Sequence, residues 1–269
     1  MTREAISKGA GLANILPAAY AAKDCYSRAT WARLVADCYQ EGDYVQRENA
    51  EFGWATTQDA IVFAIAGTNP RDLRDVSHDR RHRQKPYSGG GRIHSGFHAH
   101  WLLIRDEISS VIDERISGRK CLYFVGHSLG GIVAQIAADY IRQVFGTTTN
   151  ASVMCWTFGA PRGWDQNGAF HVFERMTCGR GTYLVQASGD PVTLIPSRLT
   201  LHTEPYQHAG QKIVIDKQGN PSVEDWLLFQ RILAVFFGLL CGVGSAHGMG
   251  EYIQRIGKYV EKRRQRAEL

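Results

Sequence analysis

Short apolar runs alternate with segments of helical period along most of this chain. Apolar positions recur at helical spacing over Ala13 to Cys25 and again near Thr30 to Cys38, which predicts two helices. Tyr44 to Thr56 reads as strand material. Asp59 to Ala66 is short and almost wholly apolar, the pattern of a strand buried on both faces. Polar, Gly-rich sequence from Gly67 to Arg92 predicts a long loop. Trp101, Ile104, Ile108, Val111 and Ile112 share one face of a helix drawn over Phe97 to Ile116. Lys120 to Val125 predicts a strand and Leu129 to Phe145 a helix. Val153 to Phe158, Thr182 to Ala187 and Lys212 to Ile215 predict three further strands, the last followed by an unusually apolar stretch from Val223 to Gly244 and a basic helix after Glu251. Strands separated by helices imply an α/β fold, a central, mostly parallel sheet flanked by helices, in a single domain over residues 1–269.

At 269 residues, with 44% hydrophobic and 21% charged residues, the chain can build a full core, which excludes disorder, collagen and coiled coil for the whole. Six scattered cysteines with no CxxC pair fit neither a disulfide framework nor a zinc finger, and read as buried thiols. The net charge of +5 is unevenly placed. Residues 70–93 hold seven Lys/Arg against three Asp, and residues 255–269 hold six Lys/Arg against two Glu. Two such patches suit peripheral contact with an anionic membrane surface, while no nucleic-acid motif accompanies either. The N-terminal run carries a signal-like Ala19-Tyr20-Ala21, but Asn14 and Pro17 interrupt it. It reads better as a packed helix, which leans towards a protein inside the cell or peripheral at a membrane and leaves secretion open.

The chemistry concentrates at Gly126-His127-Ser128-Leu129-Gly130, a G-x-S-x-G pentapeptide between a predicted strand and a predicted helix. In that context a serine sits on a strained turn that aims its hydroxyl out of the sheet, and the flanking glycines leave room for the tight backbone. A nucleophilic serine needs a base, and the base an orienting acid. Asp190 follows the strand Thr182 to Ala187 directly and suits the acid, with Asp165, Asp216 and Asp225 as competitors. For the base, His202, His208 and His247 all lie downstream, and His247 sits in the small-residue loop Gly244-Ser245-Ala246-His247-Gly248. His94, His98 and His100 lack a metal-site pattern, and Ser88-Gly89-Gly90-Gly91 lacks the Lys-Ser/Thr of a phosphate loop and reads as a flexible hinge.

An ordered set of short motifs resembles the class 3 lipases, the fungal-type triacylglycerol lipase family of α/β-hydrolases. It comprises Phe63 through Gly67-Thr68, His94-Ser95-Gly96-Phe97, Gly126 to Gly131, Thr157 to Arg162, Asp190-Pro191-Val192 with Ile195-Pro196, and His247 with Tyr252. The resemblance implies Ser128 as nucleophile, Asp190 as acid and His247 as base. It further implies an oxyanion hole from Leu129 and Thr68, and no cofactor or metal. The chain departs from the family at Ala66, where a basic residue is usual, and in the lid position. There the basic polar loop at about 69–93 offers only Leu73 and Val76 as aliphatic residues between Arg71 and Arg83. That polarity argues against a greasy interfacial lid and against a preference for neutral fat droplets.

The expected activity is therefore cleavage of carboxylic esters, of lipids or small esters, through an acyl-enzyme. A phospholipase A-type hydrolase or an acyltransferase is the alternative on the same fold, and a silent lipid-binding protein the non-enzymatic one. The apolar segment at about 226–244 is expected either inside the core or beside the active site, dipping into lipid with Trp226 and Phe229.

Overall fold

The computed structural model describes residue 6 and residues 12–67, 84–146, 150–177, 181–196, 205–221 and 245–267. Thr68, most of the polar loop, His202, Asp225 and the apolar segment with Trp226 and Phe229 lie outside the described residues.

Seven strands form the central sheet in the order β1 (Glu41–Arg47), β2 (Ala50–Thr56), β3 (Ala60–Ile65), β6 (Cys121–His127), β7 (Ser152–Phe158), β8 (Thr182–Ala187), β9 (Gln211–Ile215). The first two pairings are antiparallel, and from β3 to β9 every pairing is parallel. Residues of β3 and β6 are buried throughout because helices cover both faces. Their side chains alternate: Ile61, Phe63, Ile65, Leu122 and Phe124 enter one core, and Ala60, Val62, Ala64, Tyr123 and Val125 the other. The first core is closed by α3 (Ser95–Leu102), α4 (Arg105–Arg115), α5 (Leu129–Phe145) and α6 (Gln166–Thr177). The second is closed by α1 (Ile15–Asp24), α2 (Arg28–Cys38) and α7 (Met249–Ala267), with α1 packed on α7. Pro17 occupies the third position of α1, within the first turn, where its missing N–H costs no helical bond.

Tyr44 to Thr56 is strand material as expected, divided between β1 and β2 of a hairpin turned at Glu48 with φ 50°. Other sequence expectations change. The long loop before Arg92 contains a second, two-stranded sheet, β4 (Gln84–Pro86) with β5 (Arg92–His94). Its Gly-rich run makes the turn between these strands, where Gly90 and Gly91 take φ 99° and 69° and the Tyr87 N–H donates to Gly91 O at 3.0 Å. The helix drawn over Phe97 to Ile116 breaks at Leu103 and Ile104. There i→i−3 bonds to His100 and Trp101 end α3, and Ile104 drops into the core. Helix α6 was not anticipated; it buries Ala169, Val172 and Met176 at helical spacing.

Cys25, Cys121 and Cys155 are buried and Cys38 is half-buried, and none of these four forms a disulfide. No described helix is long and apolar enough to cross a membrane.

Candidate active site

Strand β6 ends at His127, and α5 begins at Leu129. Ser128 between them has φ 58° and ψ −130°, a conformation few non-glycine residues adopt, held here by its surroundings. Its N–H donates to Phe158 O of the neighbouring strand at 2.9 Å, and its carbonyl accepts from Gly131 N–H at 3.0 Å. A Cβ on Gly126 would strike the Gly130 backbone, and one on Gly130 would strike the Ile65 and Ala66 backbone, so both glycines are steric requirements of the turn. Leu129 opens α5, so its N–H is one of the donors that a helix cannot pair internally.

Asp190 sits in the turn after β8, as the sequence expected, and is buried. His247 reaches it from a short turn ahead of α7, with Nδ1 2.9 Å from Oδ2 and 3.1 Å from Oδ1. The carboxylate also accepts the Tyr252 hydroxyl at 2.6 Å and the Val192 N–H at 2.9 Å. Because a carboxylate only accepts, Nδ1 of His247 carries the proton in this contact. A neutral ring is then bare at Nε2. Among the described residues, His247 Nε2 and Ser128 Oγ are both buried without a hydrogen-bond partner. An imidazole open at one nitrogen and a hydroxyl open on a strained turn are groups that nucleophilic catalysis can use.

The competing residues that the structure describes are engaged elsewhere. Asp165 Oδ1 accepts the N–H groups of Arg92 at 2.9 Å and Gly168 at 2.6 Å, tying β5 to the first turn of α6. Asp216 holds a turn through Gln218 and Asn220. His208 Nε2 bonds Thr193 O at 2.8 Å. His94 Nδ1 caps α3 by accepting Phe97 N–H at 3.4 Å, and the two rings stack at 4.1 Å.

Three participants escaped the sequence reading. Tyr252 was visible only as part of a motif, and its partner Asp190 lies 62 residues away. Gly159, at φ 59°, backs the site: a Cβ there would lie 2.7 Å from Asp190 Oδ2, 2.9 Å from Tyr252 Oη and 3.1 Å from His247 Nδ1. A glycine directly after a core strand was the available signal. Tyr26, which contacts His127, gave no signal at all.

The sequence profile described as "Lipase (class 3)" matches residues 62–200. A curated relative, "Secreted mono- and diacylglycerol lipase 1" of Fusarium solani, is 26% identical over 159 residues, 58% of this chain and 44% of the relative. The chain thus spans less than half of that relative's length. Among solved structures, the lipase of Rhizopus microsporus var. chinensis superposes with a TM-score of 0.61 at 18% identity, over 80% of this chain and 83% of that one. The triacylglyceride lipase of Rhizomucor miehei does so with a TM-score of 0.58 at 20% identity, over 76% and 80%. These superpositions bear out the expected α/β-hydrolase fold.

Proposed function

The chain belongs to the class 3 lipase family, and on that premise we propose that it hydrolyses carboxylic esters of lipids through an acyl-enzyme on Ser128. The carrying observation is the buried Asp190–His247 pair, with His247 Nε2 and the Ser128 hydroxyl both buried and unengaged. Ser128 Oγ attacks the ester carbonyl while His247 Nε2 takes its proton. The negative charge that develops on the carbonyl oxygen falls to the Leu129 N–H, with Thr68 as the second donor that the family resemblance implies. His247 then protonates the departing alcohol, and a water activated by the same nitrogen releases the acid. Asp190 stays ionised throughout and stabilises the imidazolium. No step calls for a metal or cofactor.

Mono- and diacylglycerols are the substrates we favour. The Fusarium relative is named for them, and the polar sequence from Arg71 to Arg83 offers little apolar surface for a neutral fat droplet. That relative is also secreted by name, which is compatible with a place of action outside the cell. Purified protein should cleave a short p-nitrophenyl ester and lose that activity in Ser128→Ala. A panel of mono-, di- and triacylglycerol and phospholipid emulsions then reads the preference, and a phospholipid-only activity would overturn it.

Peripheral contact with an anionic lipid surface is part of the same proposal. Its support is a cavity of about 380 Å³ at the end of α7, lined by Asn220, Tyr259, Lys262, Arg263 and Arg266 among others. Lys262 is tethered by Asn220 Oδ1 at 2.7 Å and Arg263 by the Tyr259 hydroxyl at 3.2 Å. Both tethers are neutral acceptors, while the Asp216 carboxylate lies within electrostatic reach of Lys262. Ser128→Ala protein should co-sediment with anionic vesicles and release with salt; equal binding to neutral vesicles would contradict the electrostatic contact.

A further inference from the structure

His127, the variable residue of the G-x-S-x-G motif, is buried with both ring nitrogens engaged. Nε2 lies 2.7 Å from the main-chain oxygen of His247, and Nδ1 lies 2.8 Å from the Tyr26 hydroxyl. Chemistry fixes the direction of each bond. A carbonyl only accepts, so Nε2 of His127 carries the proton. Burial, with repulsion from His247 second, pushes the His127 imidazole down to about 3. At neutral pH the ring therefore holds one proton and is bare at Nδ1, where Tyr26 O–H must donate. Gly67 packs against the Tyr26 oxygen. Donation runs one way: Tyr26 to His127, His127 to the His247 carbonyl. Bonds aligned in this way polarise one another.

Packing follows the same path. The His127 ring centroid is 4.5 Å from that of His247 and 5.9 Å from those of Tyr26 and Tyr252. Gly67 must lack a side chain here, since a Cβ would lie 2.5 Å from Tyr26 Oη, 2.7 Å from His127 O and 3.2 Å from Ser128 Cβ. His247 is consequently held at two points. Asp190 fixes its ring through Nδ1, and His127 fixes its main chain through the carbonyl, which leaves Nε2 as the unengaged atom.

We propose that Tyr26 and His127 are positioning residues of the ester-cleaving site, forming a hydrogen-bond chain that fastens the loop carrying the base to the nucleophile elbow, with Gly67 packed against both. A structural histidine would contribute to stability alone. One that aims the base contributes to turnover, because a small misplacement of a catalytic group costs rate. The proposal rests on Ser128 and His247 acting as nucleophile and base.

The test measures p-nitrophenyl ester hydrolysis with active sites counted by fluorophosphonate titration, so that misfolded protein drops out. Ser128→Ala is the first arm, and retained turnover there would overturn the catalytic assignment and this proposal with it. Tyr26→Phe removes one hydroxyl and should lower kcat per active site about three- to tenfold with KM within about twofold. His127→Leu should lose more. His127→Gln should recover part of that loss, because its amide can donate to His247 O and accept from Tyr26. An unchanged kcat in Tyr26→Phe, or a Gln variant no better than Leu, would overturn the positioning role while leaving the catalytic assignment standing.

Discussion

The Tyr252 hydroxyl lies 2.6 Å from Asp190 Oδ2 and takes the Ala187 N–H at 3.0 Å, so one residue of α7 joins the Asp190 carboxylate to the end of β8. That carboxylate is thereby fixed from three sides, by Val192 N–H, Tyr252 O–H and His247 Nδ1–H. Helix α7 carries this brace, and the turn before it carries His247.

Tyr252→Phe should therefore reduce kcat by about tenfold, the worth of one hydrogen bond to a charged group. It should also lower stability by about 1 kcal/mol, because the buried Ala187 N–H loses its acceptor. Steady-state kinetics beside urea unfolding separates the two effects; an unchanged kcat would show that Asp190 needs no brace.

Gly159→Ala places a methyl against Asp190, Tyr252 and His247 at once, on a backbone with φ 59°. It should cost about 1–2 kcal/mol in strain and at least about tenfold in kcat through displacement of the acid–base pair. Thermal unfolding and ester hydrolysis on one preparation check both.

Arg255 is fully buried and donates to Ser188 O at 2.9 Å and Ile215 O at 3.1 Å, with Glu251 accepting from its Nε at 2.8 Å. It pins α7 across the carboxyl ends of β8 and β9. Arg255→Ala should destabilise the protein by about 3 kcal/mol, since two carbonyls and a carboxylate lose their donor. Urea unfolding reads this, and a change below 1 kcal/mol would speak against the pin.

His127 also predicts acid lability. Its folded pKa, about 3, lies below the ordinary histidine value, so between the two the unfolded chain binds a proton that the folded chain does not. Stability therefore rises with pH through this window and is lost as pH falls from about 6.5 towards 3, at up to about 1.4 kcal/mol per pH unit from this residue. His127→Gln should flatten the slope of unfolding free energy against pH below about 6.5 relative to the parent; an identical slope would contradict a buried neutral ring.

Much of this was readable from the chain. Leu129 to Phe145 is helix to the residue, because its apolar stripe is broad and the elbow fixes its start. The Asp190–His247 pairing joins two residues that the sequence offered as candidates, one directly after a strand and one in a small-residue loop, while the choice of His247 over His202 and His208 came from the family resemblance. The β1–β2 hairpin was not legible: its turn at Glu48 and Asn49 has no glycine or proline, and strand-like sequence runs through it. Helix α6 was hidden by Gly168 and by exposed Phe170 and Phe173, which blur its apolar face. The link from Tyr26 to His127 spans 101 residues. Nothing local encodes it, because the partner is chosen by how α1 and α2 settle against the sheet.

The central claim is that Ser128 is a nucleophile activated by His247. The direct measurement is reaction with a fluorophosphonate, followed by peptide mass analysis of the adduct. One adduct is predicted, on Ser128, forming at the parent rate in His208→Ala and orders of magnitude more slowly in His247→Ala. An adduct on another residue, or parent-rate labelling of Ser128 in His247→Ala, would contradict the account.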